Sequence, residues 1–206
     1  MSERNLTLLT DLYELTMMQG YFHAKDANET VIFDAFYRTN PDGNGFAITA
    51  GLEQVVEYIE NLHFDKEDID YLRTTGLFGE DFLEYLSTFK FTGDIYAIPE
   101  GTVVFPREPL LKVVAPIMEA QLVETAILNM INHQSLIATK ASRVVYAAKG
   151  DGIMEFGLRR AQGPDAGIYG ARAAMIGGCI GTSNVLTGQM FDVPVKGTHA
   201  HSWIMS

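Results

Sequence analysis

Thiol chemistry is almost absent from this sequence. Cys179 is its one cysteine, so no disulfide can form within the chain and a reducing compartment is expected. Basic residues are scarce as well: 15 Lys and Arg stand against 26 Asp and Glu. The resulting charge of −11 argues against nucleic acid as a partner, because binding a phosphate backbone is built on clustered cations. A small anionic substrate stays open, since it needs a local positive site and not a basic protein. No stretch approaches the roughly 18 consecutive apolar residues that span a bilayer, so no membrane partner is expected. The opening MSERNLTLLTDLYEL carries charge and no apolar core run, and it does not read as a signal peptide. Together these absences describe a cytoplasmic protein.

What is present suffices for a folded core. Of 206 residues 47% are hydrophobic and 20% charged, which is the balance of an ordered globular chain. Thr10 or Asp11 can cap a helix carrying Leu12, Leu15, Met18 and Phe22 at helical spacing. VIFDAFYR (31–38) and FAITAG (46–51) read as strands joined through the turn PDGNG, a hairpin. Leu52, Val55, Val56, Ile59 and Leu62 predict an amphipathic helix, and acidic helical segments follow at 65–75 and 79–89. Between 93 and 116, prolines 99, 106, 109 and 116 predict short or edge strands gathered in a small β-subdomain.

Residues 118–150 predict a long helix, broken once and apolar on more than one face. Strand-like GIMEFG, CIGTSN and VPVKGT then alternate with helical segments, the pattern of a parallel α/β sheet or barrel. The expected division is an N-terminal α/β domain over 1–125 and the start of an α/β barrel over 126–206.

In parallel α/β proteins ligands gather beyond the carboxyl ends of the strands. Three segments occupy such positions here: EFGLRRAQGPD (155–165), GTSN (181–184) and GTHAHSW (197–203). Arg159 and Arg160 offer planar donor forks for phosphate or carboxylate, unless they pair with Glu155 or Asp165. GTSN makes a tight strand-to-helix turn with Ser183 or Asn184 as N-cap. His199 and His201 leave three readings open: metal ligands lacking a third partner, imidazoles at a subunit contact, or a nucleophilic or acid–base imidazole.

Taken together, LLTDLYELTM (8–17), FAITAGLEQVVEYI (46–59), IPEGTVVFPREPLLKV (98–113), QLVETAILNMINHQSLIATKASR (121–143), EFGLRRAQGPDA (155–166), GTSNVLTG (181–188) and GTHAHSW resemble the nicotinate phosphoribosyltransferase family. The resemblance implies a fold of the type II phosphoribosyltransferase kind, an N-terminal α/β domain followed by an irregular, TIM-like α/β barrel. It implies the joining of nicotinate to 5-phosphoribosyl-1-diphosphate in NAD salvage, coupled to ATP hydrolysis through a phosphohistidine and assisted by Mg2+ bound with the phosphates. The family pattern G-T-x-A-H places that histidine at His201 and leaves His199 on a variable position.

By the same resemblance, Tyr13 stacks on the pyridine ring from a partner subunit of a homodimer, and Phe156 covers the other face of the ring. Thr198 contacts nicotinate, and Arg159 lies near the ribose phosphate or pyrophosphate. Ser183 stands where nicotinamide-using relatives carry Asp, which favours the acid as substrate. The resemblance further implies that family chains continue past the position of Ser206, through the rest of the barrel and the arginine for the nicotinate carboxylate. The rivals are a quinolinate-type phosphoribosyltransferase, which GTHAHS argues against, and an inactive assembly module.

Overall fold

The computed structural model describes residues 4–24 and 28–206. The first half of the chain runs through α1 (Leu12–Phe22), β1 (Thr30–Phe36), β2 (Ala47–Ile48), α2 (Leu52–Glu60), α3 (Lys66–Thr74) and α4 (Glu80–Ser87). Three strands follow, β3 (Asp94–Ala97), β4 (Val103–Val104) and β5 (Pro109–Pro116), and then the helices α5 (Ile117–Leu122) and α6 (Glu124–Ala147). The last part alternates: β6 (Met154–Glu155), α7 (Pro164–Ile176), β7 (Gly181–Thr182), α8 (Val185–Phe191) and α9 (His201–Met205).

These elements form two compact units that interleave in sequence. One comprises 1–38, 52–98 and 107–130; the other comprises 39–51, 99–106 and 131–206. The sequence reading cuts the chain once, at 125/126. The compact units differ from it because 39–51 and 99–106 pair with each other and belong with the later residues.

In the first unit β5 is the central strand of an antiparallel sheet ordered β1-β5-β3. This corrects the expectation of short or edge strands. Pro109 and Pro116 stand at the two ends of β5, so the six residues between them keep their N–H groups for both neighbours. Leu111, Val113 and Ala115 alternate onto its buried face, and the register sets Phe33 and Ile95 on either side of Val113. An aromatic cluster of Phe22, Phe78, Phe82, Tyr85 and Phe89 fills the helical side, with Phe82, Leu83 and Leu86 of α4 fully buried. Helix α3 starts where a capping box permits: the Asp68 N–H donates to Asp65 Oδ1 at 2.9 Å and the Asp65 N–H donates back to Asp68 Oδ2 at 3.0 Å.

The expected hairpin between 31–38 and 46–51 does not form. Strand β1 pairs with β5 over seven residues, whereas β2 pairs with β4 in the second unit. The turn chemistry of PDGNG is nonetheless used, with Asp42 and Gly43 at φ of 56° and 66°. A long apolar ladder outcompetes a two-residue strand, whose Ile48 N–H instead donates to Thr139 Oγ1 of α6 at 2.8 Å. The small β-subdomain expected at 93–116 is likewise shared out: β3 and β5 join β1, and β4 joins β2.

In the second unit β6 and β7 pair in parallel across α7, and Val195 extends the order through a parallel bridge to Thr182 across α8. The strand expected at 193–198 is thereby reduced to one bridge. Gly188 leaves room for this approach: a Cβ would lie 2.2 Å from Val195 Cγ2, so either the Val195 side chain or α8 would have to shift. The break expected in the long helical stretch falls at Val123, between α5 and α6. Among the described residues no helix is long and apolar enough to cross a membrane.

Candidate functional site

Parallel pairing makes three loops leave the same edge of the second unit: 156–163 after β6, 183–184 after β7, and 196–200 after Val195. Backbone bonds fix the three together. The Ser183 N–H donates to the Glu155 carbonyl at 3.0 Å, the Thr182 N–H to the Pro194 carbonyl at 3.0 Å, and the Lys196 N–H to the Thr182 carbonyl at 2.9 Å.

Glu155 tightens this edge with its side chain. One carboxylate oxygen accepts from Thr182 Oγ1 at 2.6 Å, and the other accepts from the Gly157 N–H. Thr182 is fully buried, and its hydroxyl also accepts from the Asn184 N–H at 3.0 Å. Asn184 is the N-cap of α8, accepting from the Thr187 N–H at 3.3 Å and donating to the Gly167 carbonyl at 3.2 Å. Sequence offers Ser183 and Asn184 equally as caps; Asn184 takes the role, which leaves the half-buried Ser183 side chain for other contacts.

Phe156 is 41% exposed, one residue past the Glu155 anchor. Arg159 and Arg160 sit in the helical turn Leu158–Arg160 that follows, both exposed. Among the described residues neither arginine forms an ion pair, and Glu155, one of their two possible partners, is committed to Thr182 and Gly157. Two unneutralised guanidinium groups therefore stand beside the amino end of α7, whose first turn begins at Gly163 and Pro164. Thr198 is exposed on the third loop. His201 opens the short helix α9 and is exposed, while the His199 ring lies 6.4 Å from the Trp203 ring.

Cys179 is buried just before β7, and burial, with a further contribution from Glu155, pushes its thiol pKa up. It is not a thiolate nucleophile. Among the described residues no group of three or more His, Cys, Asp or Glu side chains is placed to hold a metal ion.

Tyr13 belongs to the first unit, where it is 47% exposed on α1. Burial together with Glu124, Glu14 and Asp11 raises its phenol pKa, so the ring is neutral.

Three groups escape a reading by sequence. Glu155 shows itself there only as a possible arginine partner. The second is the pair of Glu100 and Arg172, whose signal is an arginine inside the small-residue helix PDAGIYGARAAMI. The third is Glu14, a carboxylate amid the apolar stripe of α1 with no exposed surface.

Residues 8–132 match the sequence family described as nicotinate phosphoribosyltransferase (NAPRTase) N-terminal domain. The nicotinate phosphoribosyltransferase pncB2 of Mycobacterium tuberculosis is 48% identical over 97% of this chain and 43% of its own length. That of Bacillus subtilis is 46% identical over 98% of this chain and 41% of its own. The crystal structure of human nicotinic acid phosphoribosyltransferase superposes with a TM-score of 0.88 at 38% identity, covering 95% of this chain and 40% of the human one. The nicotinate-nucleotide pyrophosphorylase of Pyrococcus furiosus superposes less well, with a TM-score of 0.77 at 27% identity over all of this chain and 46% of that one. The chain thus spans about two fifths of the length of the curated relatives it matches. With more than half of its residues matching that N-terminal domain, the chain belongs to the nicotinate phosphoribosyltransferase family.

Proposed function

We propose that the whole protein joins nicotinate to 5-phosphoribosyl-1-diphosphate, releasing pyrophosphate, and couples this to ATP hydrolysis through phosphorylation of His201. The observation that supports the reading is the set of three strand-end loops, held together by Glu155 and Thr182 as far as Lys196, on which or directly after which Phe156, Arg159, Ser183, Thr198 and His201 follow in the chain.

In the transfer step the pyridine nitrogen lone pair forms the bond to the ribose anomeric carbon as the carbon–oxygen bond to pyrophosphate breaks. Positioning dominates such a reaction. Phe156 and, from a partner copy, Tyr13 sandwich the pyridine ring, and Thr198 contacts nicotinate. Arg159 neutralises charge on the phosphate or pyrophosphate. In the coupling step a neutral His201 imidazole nitrogen attacks the γ-phosphorus of ATP, the bond to the bridging oxygen breaks, and ADP leaves. Water later cleaves the N–P bond. The described residues supply no metal cluster of their own; Mg2+ is expected to arrive with the phosphates, where it would neutralise their charge. A homodimer is supported by the exposure of Tyr13 on α1. A cytoplasmic setting is supported by the lone, unpaired Cys179.

Incubating the full-length protein with γ-labelled ATP, nicotinate and the ribosyl donor tests the reading. Nicotinate mononucleotide and labelled protein are expected. Product only from quinolinate, or none from any pyridine, would replace it with one of its rivals. Ser183→Asp supplies a second test. Placing a carboxylate near the carboxylate of nicotinate should lower kcat/KM for nicotinate about tenfold or more by like-charge repulsion. An unchanged ratio of nicotinate to nicotinamide use would remove Ser183 from the site.

A further inference from the structure

We infer that Glu14 is a positioning residue for Tyr13, fastening the first turn of α1 to the amino end of α6 through Thr125. The inference rests on the proposed role of Tyr13 against nicotinate.

The two neighbours on α1 have opposite fates. Tyr13 is 47% exposed, whereas Glu14 is 0% exposed. Glu14 Oε1 accepts from the Thr125 N–H at 3.1 Å and lies 3.0 Å from Thr125 Oγ1. This N–H belongs to the first turn of α6, where helix geometry leaves it without an intrahelical partner. Asp11 is the N-cap of α1, yet its side chain makes no cap bond there; its Oδ2 lies 3.1 Å from Thr125 Oγ1 instead. Thr10 adds a third tie, donating to the Leu122 carbonyl at 3.3 Å. Helix α1 therefore gives up its own side-chain cap, and the residues on both sides of Tyr13 are tied to one point. A local rule broken with a compensating contact marks a constraint that the fold needs elsewhere.

A hydrogen count shows how the tie works. Thr125 Oγ1 carries one hydrogen, and two carboxyl oxygens lie within reach of it. Both contacts are satisfied together only when one of the two carboxyls is protonated, and Glu14, with no exposed surface, is the one that burial holds in the neutral form. Its O–H then donates to Thr125 Oγ1, which passes its own hydrogen to Asp11. Glu14 Oε2, buried without a partner, is then a neutral carbonyl and not half of an unpaired charge. The Tyr58 hydroxyl is also buried without a partner, and burial, with a further contribution from Glu14, raises its pKa.

The groups facing Glu14 are Asp11 and Tyr13 of α1, Tyr58 of α2 and Glu124 of α6, none of them a cation. Burial is the main cause that raises the Glu14 pKa to about 7, against the Thr125 hydrogen bonds that lower it. The sign follows. A carboxyl whose pKa is raised by docking favours the docked state fully below its ordinary value, and loses that advantage as pH rises toward the raised value. Docking of α1 at this point is therefore most favourable when Glu14 is neutral, because burial outweighs the Thr125 bonds. It weakens from about pH 4.5 to about pH 7 and is level above.

The test uses the full-length enzyme and measures KM for nicotinate and for the ribosyl donor, together with His201 phosphorylation. Glu14→Ala should raise KM for nicotinate about tenfold, since a misplaced positioning contact costs up to about a hundredfold. KM for the ribosyl donor and phosphorylation should stay within about twofold, because neither uses the Tyr13 ring. In the natural protein KM for nicotinate should rise between about pH 5 and about pH 7. Glu14→Gln, which mimics the neutral carboxyl, should abolish that rise. A support with no proton in it would not produce this profile.

Tyr13→Ala serves as the control. If it leaves nicotinate KM unchanged, the reading of Tyr13 fails and the inference falls with it. If Tyr13→Ala raises KM while Glu14→Gln keeps the natural pH profile, the positioning role alone is overturned, even where Glu14→Ala does not fold.

Discussion

His201→Asn in the full-length protein should eliminate the acid-labile phosphoenzyme and ATP hydrolysis, leaving a slow transfer reaction that no longer responds to ATP. Asparagine reaches about as far as histidine and remains polar, but its amide nitrogen has no nucleophilic lone pair, so no N–P bond can form. The loss in phosphorylation should exceed about a thousandfold, as for removal of a nucleophile that a reaction cannot bypass. Transfer to nicotinate should survive, because the roles proposed for Tyr13, Phe156 and Thr198 concern the pyridine and not the phosphoryl group. His199→Asn should leave the phosphoenzyme intact, because the proposed assignment puts the phosphoryl group on His201 alone; both histidines are exposed, so the variants are what separates them. Retention of the phosphoenzyme by His201→Asn together with its loss in His199→Asn would reverse the two assignments. Loss in neither would end the coupling mechanism. Labelling with γ-labelled ATP followed by acid treatment reads all of these outcomes.

Local patterns and long-range pairing differ in how far the sequence discloses them. The helices α1 to α4 follow from apolar periodicity, which is local, whereas the position of the break at Val123 is known only from the structure. The alternation of β6, α7, β7 and α8 is legible for the same reason. Strand pairing is not local. FAITAG carries the composition of a strand and PDGNG that of a turn, yet β2 pairs with β4, because β1 has a seven-residue ladder available on β5. Nothing within residues 31–51 encodes that competition. The prolines of β5 mislead similarly, since proline blocks a strand only where its missing N–H was needed, and Pro109 and Pro116 lie at the ends.

The site divides along the same line. Reactive residues at strand ends are visible as motifs, whereas their supports depend on contacts between distant segments. Thr182 to Glu155 and Thr125 to Glu14 are bonds of this kind, spanning 27 and 111 residues. A buried carboxylate looks like any other Glu until its surroundings are known.

Arg172 is the most consequential of these hidden supports. Arg172→Met should destabilise its unit by about 3–5 kcal/mol, the penalty for stranding one partner of a buried ion pair. Arg172 Nη1 and Nη2 meet Glu100 Oε1 and Oε2 at 2.9 and 2.7 Å, a two-pronged contact with both side chains largely buried. Nη1 also donates to the fully buried Gln134 at 3.2 Å, and the guanidinium lies 5.4 Å from the Phe191 ring centroid. Methionine fills much of the arginine volume, so packing loss is small, but the Glu100 carboxylate loses its countercharge. It cannot simply be removed as well, because its Oε1 accepts from the Gly51 N–H at 2.5 Å, where φ is 105°. Glu100→Gln keeps that acceptor and carries no charge. The double variant Arg172→Met/Glu100→Gln should therefore recover more than half of the loss, a coupling that two independent sites would not show. Urea unfolding of the four proteins measures it. A single Arg172→Met that costs under about 1 kcal/mol would mean that water reaches the pair and screens it like an exposed salt bridge. Because α7 carries Arg172 and packs on the turn Leu158–Arg160, the single variant should also loosen that turn, seen as faster amide exchange there than in the double variant.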